Sequence, residues 1–260
     1  MSGKFSAGAA FLLAHWRAGS KCEDMPEALR PDDRAEAYAM QALLERASSA
    51  PLYGWKIAAT SKAGQAHIGV DGPLAGRILA ERVLPDGATS SLAGNAMRVA
   101  ELEFAFRMGR DLPPRDEPYE QLEVLDAVAA LHPAIEIPDS RFVDFVAAGG
   151  VQLVADNACA HEFVLGESAG AAWHEIDLAA FKPIARMPGR DDQIGLGANV
   201  LGDPRIALTW LVNELSGLGV TLRAGEVVTT GTCVVPIAIA PGDAIAADFG
   251  VLGRVSVSFA

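Results

Sequence analysis

Along the first fifty residues apolar positions recur at helical spacing, whereas from about residue 95 they alternate or gather in short runs cut by turns. The segment FSAGAAFLLA is followed by His15, Trp16 and Arg17, not by a small-residue cleavage site. An N-terminal amphipathic helix is therefore predicted in preference to a removable leader. A second helix is predicted over PDDRAEAYAMQALLER, opened by Pro31 and two aspartates and stopped by Pro51. Ala35, Tyr38, Ala42 and Leu43 fall near one of its faces. YGWKIAAT reads as a strand, Ser61 as the cap of a short helix reaching His67, and Asp71 to Pro73 as a turn.

VAELEFAFRM alternates cleanly. As a strand it puts Leu102, Phe104, Phe106 and Met108 on one face and Glu101, Glu103, Ala105 and Arg107 on the other. Tyr119 to Leu131 is predicted helical, with Leu122, Leu125 and Val128 inward, and AIEI, VQLVAD and HEFVLG follow as extended runs. Asp203-Pro204 marks a cap and first helical position for IALTWLVNELSG, which stops at glycine. The remainder, EVVTTGT, IAIA, AIAAD and RVSVSF, is β. Strands outnumber helices here and do not alternate with them regularly. That pattern predicts an α+β or β-rich roll and argues against a doubly wound sheet.

Composition changes this picture little. Of 260 residues 50% are apolar and 21% charged, an ordinary globular balance that can bury a full core. The formal net charge of −12, from 33 acidic and 21 basic residues, disfavours nucleic acid as a partner. It would also repel an acidic small substrate unless the site reverses the sign locally, as a metal ion does. Cys22, Cys159 and Cys233 show neither metal-ligand spacing nor a disulfide framework, which suits a reducing, cytoplasmic setting. No apolar run approaches the ~20 residues needed to cross a bilayer.

Glu101 and Glu103 point the same way, and spacing alone reads them as a solvated strand face. Glu136, in LHPAIEIP, is harder to place in water. A buried carboxylate must be protonated, paired or metal-bound, and Arg98 or Arg141 would serve as well as a metal. Three carboxylates together would form a hard oxygen site suited to Mg²⁺, Mn²⁺ or Ca²⁺, with coordination positions left for substrate and water. The histidines carry no pattern of their own.

Taken in order, AEAYAMQ, GWKIAATSKAGQAHIGVDGP, ELEFAFRMGRDLP, HPAIEIPDSR, VADNA, GANVLGDP, AGEVVTTGT and GDAIAADFGVLGRVSVSF resemble the 2-keto-4-pentenoate hydratase and 4-oxalocrotonate decarboxylase group of the fumarylacetoacetate hydrolase superfamily. The resemblance implies a mixed β-roll with flanking helices. Residues 1–80 would form an N-terminal helical lobe with the first strands, and residues 81–260 a β-rich catalytic domain. It places one Mg²⁺ or Mn²⁺ on Glu101, Glu103 and Glu136, and an active-site lysine at Lys56, whose burial is expected to lower its pKa. It also implies a homo-oligomer acting on a small 2-oxo or 2-enol acid. The activity implied is hydration of a 2-hydroxydienoate. Decarboxylation of a 2-oxo diacid is the alternative, and acylpyruvate hydrolysis or a non-catalytic subunit stands further off. Two positions depart from the family pattern. Leu74 stands where an aspartate is common, with Asp71 just upstream, and Cys159 stands where serine is common; a buried, inert thiol is expected there.

Overall fold

The computed structural model describes residues 3–260. Among them are the helices α1 (Gly3–Ala18), α2 (Arg34–Glu45), α3 (Lys62–His67), α4 (Gln121–Leu125), α5 (Phe145–Ala148), α6 (Gly150–Ala155) and α7 (Pro204–Gly217). The strands are β1 (Gly54–Ala58), β2 (Leu74–Ile78), β3 (Val83–Leu84), β4 (Thr89–Ser90), β5 (Val99–Met108), β6 (Val128–Ile137), β7 (Glu162–Leu165), β8 (Ile184–Arg186), β9 (Gln193–Ile194), β10 (Val227–Thr232), β11 (Ile237–Ala238), β12 (Ala244–Asp248) and β13 (Arg254–Phe259).

The large sheet runs β2-β1-β10-β5-β6-β7-β3, with β11 also paired to β5; the smaller runs β4-β13-β12-β8-β9. Both are mixed: β1 lies parallel to β10, β3 to β7 and β13 to β4, and the other pairs are antiparallel. The end strands β2 and β3 are joined only by Leu79–Arg82. A link that short spans at most about 18 Å, while a flat sheet with this strand order would separate them by about 29 Å. The sheet must therefore curl, and the α+β roll follows from connectivity.

The alternation in β5 decides where the core sits. Leu102, Phe104, Phe106 and Met108 are buried on one face, where Phe104 meets Phe249 edge to face at 5.2 Å and Phe106 meets Trp173 at 5.8 Å. The opposite face holds a small satellite group, Ile78, Ala105, Ala134, Phe163 and Val227. Both faces of β5 are closed, and its glutamates are not a solvated surface.

The capping signals hold. Asp33, Ser61 and Asp203 accept amide hydrogens at the starts of α2, α3 and α7. Three expectations fail. The inward face of α2 is Ala37, Tyr38, Met40, Gln41 and Leu44, rotated from the predicted one because Gln41 is buried to hold the carbonyls of Ala75 and Val154. The helix expected over 119–131 stops at Leu125 and leaves Leu122 exposed. Val128 already begins β6, whose apolar length hides its period when read alone. VQLVAD is not extended but forms α6, which packs on α2; tertiary contact outweighs the β-branched valines.

Candidate active site

Strands β5 and β6 put Glu101 directly opposite Glu136 and Glu103 opposite Ala134, so all three carboxylates share one face of the large sheet. One carboxylate oxygen from each lies within 4.8 Å of the others. Lys56 reaches the same face from β1. Its Nζ lies 3.0 Å from Glu136 Oε1 and donates to the carbonyl of Ala158 at 3.0 Å. Glu103 is fixed from the other side. Its Oε2 accepts the Gly231 amide at 2.8 Å and the Thr229 hydroxyl. That amide is available because β10 is irregular between Thr229 and Thr232, and Gly231 takes a φ of +98° there.

The fit to a cation rests on what is left over. Glu103 Oε1 and Glu136 Oε2 are buried with no hydrogen-bond partner among the described residues. Unpaired buried carboxylate oxygens are costly, and a hard divalent cation between them would satisfy both. Burial is the main reason all three acids are held above their ordinary pKa. Glu101 is pushed up to about 7 by burial and by Glu136, against the pull of Lys56. Glu103 is raised well above its usual range by burial and by its two acidic neighbours. Glu136 is raised as well, with Lys56 opposing. Lys56 corrects the sequence expectation. Burial does press its pKa down, but Glu136, Glu101 and Glu103 together outweigh it and the net shift is upward. The ionised acids of the cation-free cluster therefore favour the ammonium form of Lys56.

Neither arginine proposed as a partner for Glu136 serves it. Arg98 is exposed, and Arg141 is spent on the buried Asp156 and on the carbonyl of Ala160. Leu74 is buried on β2, two residues from Gly76, the partner of Lys56, while Asp71 is exposed in the turn before it. Cys159 is buried, and burial pushes its thiol up to about 12, so it is no nucleophile. His15 bonds Ser20, His132 faces the carbonyl of Gly166, and His161 accepts from Trp16.

A family model described as fumarylacetoacetate (FAA) hydrolase C-terminal matches residues 62–259. The chain belongs to the fumarylacetoacetate hydrolase family. A 2-keto-4-pentenoate hydratase of Dechloromonas aromatica (strain RCB) is 35% identical over 260 residues, covering 98% of this chain and 96% of the relative. A 4-oxalocrotonate decarboxylase of Pseudomonas sp is 32% identical, with 79% of this chain and 77% of the relative covered. The solved 4-oxalocrotonate decarboxylase from Pseudomonas putida G7, complexed with magnesium and adipate, superposes with a TM-score of 0.88 at 26% identity, over 98% of this chain and 97% of that one. The β-roll is thus the fold of this family, and the chain's relatives within it include hydratases and a decarboxylase.

The sequence pattern does not mark Thr229, Gly231 and Ala158 together as part of this site. A glycine inside the β run VVTTGT signals a bulge, so Gly231 was within reach of the pattern. Ala158 acts through its carbonyl, and no side-chain pattern marks a backbone acceptor.

Proposed function

We propose that the chain is a divalent-cation-dependent hydratase that adds water to an unsaturated 2-oxo acid formed from a 2-hydroxydienoate. One observation carries the reading. Two unpartnered carboxylate oxygens are buried in a cluster of three acids, and a lysine ammonium reaches that cluster. Glu101, Glu103 and Glu136 would hold Mg²⁺ or Mn²⁺. A cation held there would supply the positive charge that attracts an acidic substrate and favours its enolate form. Lys56, charged and held at Glu136, is placed to donate. It would deliver a proton to the dienol carbon as the 2-hydroxyl proton is lost to water, solvent then reprotonating the amine, or it would anchor the substrate carboxylate. Fixing Glu103 through Gly231 and Thr229 keeps the donor set preorganised. A homo-oligomer in a reducing cytoplasm belongs to the same proposal, supported by the family resemblance and three free cysteines.

Exhaustive chelation, or Glu101→Ala, is expected to lower turnover of 2-hydroxypenta-2,4-dienoate at least about a thousandfold, several kcal/mol of transition-state stabilisation. Activity that survives both would sink the proposal. The decarboxylase resemblance favours a second reading, removal of CO₂ from a 2-oxo diacid in the same site. Product analysis separates the two: CO₂ from 4-oxalocrotonate with no hydration of the dienoate would replace the first reading by the second.

A further inference from the structure

We propose that Asn157 is a positioning residue for Lys56, acting through a left-handed turn that sets the lysine's hydrogen-bond geometry. The consequence for catalysis rests on the function proposed above; the placement of Lys56 does not. Asn157, Ala158 and Cys159 take φ values of 58°, 49° and 60°. Single non-glycine residues visit this region, and asparagine more readily than most, but consecutive ones need an external hold. Asn157 provides it. Its side-chain Oδ1 accepts the Arg77 amide at 2.6 Å, and Nδ2 donates to the Arg77 carbonyl at 2.8 Å. Arg77 lies on β2, the first strand of the large sheet, so the carboxamide completes that edge as one residue of an added strand would.

The turn so pinned presents the Ala158 carbonyl to Lys56 Nζ, with Glu136 Oε1 as the second acceptor. Two of the three ammonium hydrogens are thereby committed, and the third is left for a ligand. Gly76 shows how closely the parts are fitted. A Cβ there would lie 2.5 Å from the Asn157 carbonyl oxygen and 3.0 Å from Cγ and Cδ of Lys56. The turn and the lysine chain share one residue of contact on β2. The Asn157 side chain is fully buried, and both of its hydrogen bonds go to the Arg77 backbone. Its influence on the site therefore passes through the turn.

Two variants separate positioning from simple support of the fold. Asn157→Gly keeps the left-handed backbone and removes the clamp. Asn157→Asp keeps the shape and the Oδ1 acceptor and removes the donor to Arg77. Tb³⁺ luminescence titration reports the carboxylate cluster, and ¹⁵N-lysine spectra report the Lys56 ammonium, identified by its loss in Lys56→Met. In both variants Tb³⁺ affinity is expected to stay within about threefold, the Lys56 signal to shift or vanish, and kcat to fall about 100-fold with KM moving far less. An unchanged Lys56 signal, or a kcat per folded, metal-loaded molecule within about twofold of wild type, would overturn the proposal. If Asn157→Gly does not fold, Asn157→Asp carries the same readouts. Should the wild type turn over none of the proposed substrates, the functional reading fails, and the ammonium signal alone decides where Asn157 puts Lys56.

Discussion

Glu103 satisfies Oε2 with Thr229 and Gly231 and leaves Oε1 bare against Glu136 Oε2, also bare. Without a cation and with the acids ionised, that arrangement is a local conflict, since a third buried acid adds repulsion to two others and raises their pKa values. Glutamine at this position would keep the accepting oxygen and offer an amide to Glu136, resolving both unpaired atoms at once. Metal-free Glu103→Gln is therefore expected to melt above metal-free wild type. Wild type should gain about 5–10 °C when Mg²⁺ is raised to about 100 times its Kd, and the variant should gain nothing. Differential scanning calorimetry with and without chelator decides, and a full Mg²⁺ shift in the variant would remove Glu103 from the ligand set. At this scale the sequence was legible in part. Alternation gave the shared face of Glu101 and Glu103, and apolar flanks made Glu136 suspicious. Nothing local said that the fourth member would be Lys56 paired with Glu136, because the two meet only when β1 and β6 enter one sheet.

Among elements, the long alternating strands and capped helices were readable, while those whose form depends on a neighbour were not. α6 is helical because it packs against α2, and Val128 begins β6 because β5 pairs with it. The irregularity in β10 is of the same kind. Its glycine could be noticed, but its purpose appears only where the Gly231 amide meets Glu103. Gly231 has φ +98°, and a Cβ there would lie 2.2 Å from Thr60 Oγ1 and 2.8 Å from Thr60 Cγ2. Gly231→Ala is expected to cost about 1–3 kcal/mol in urea unfolding, from the strained backbone conformation and the clash. It should also weaken Mg²⁺ binding about tenfold, by displacing an amide that orients a ligand. Adding Thr60→Gly removes the clash and leaves the backbone strain. The double variant should then be about 1 kcal/mol better than the sum of the singles, and strict additivity would show that Thr60 does not confine this bulge.

Across the whole molecule, the strand-rich pattern and the resemblance both pointed to the roll, while the tie between the N-terminal helix and the sheet stayed hidden in residues far apart in the chain. Trp16 of α1 donates its indole hydrogen to His161 Nδ1 at 2.9 Å, just ahead of β7, and the guanidinium groups of Arg82 and Arg141 lie over the Trp16 ring. An Nδ1 that accepts must be unprotonated, so this contact requires the neutral ring. Burial, then Arg82, Arg141 and Lys21, hold the His161 pKa down at about 3, against 6.5 for the free side chain. With the folded value depressed, the unfolded chain takes up the proton first as pH falls. The stabilisation is whole above about pH 6.5 and is lost progressively toward pH 3. Between pH 7.5 and 5 the loss is about 2 kcal/mol. In metal-free protein the carboxylate cluster acts in the opposite sense, because acids with raised pKa values favour the folded state as they protonate. The two effects can cancel in wild type alone, so the comparison must be with His161→Gln, which offers an uncharged acceptor to Trp16 and cannot titrate. Urea midpoints at pH 7.5 and pH 5 should show the variant losing about 2 kcal/mol less than wild type on acidification. Parallel losses in the two proteins would mean that this join between helix and roll does not sense protons.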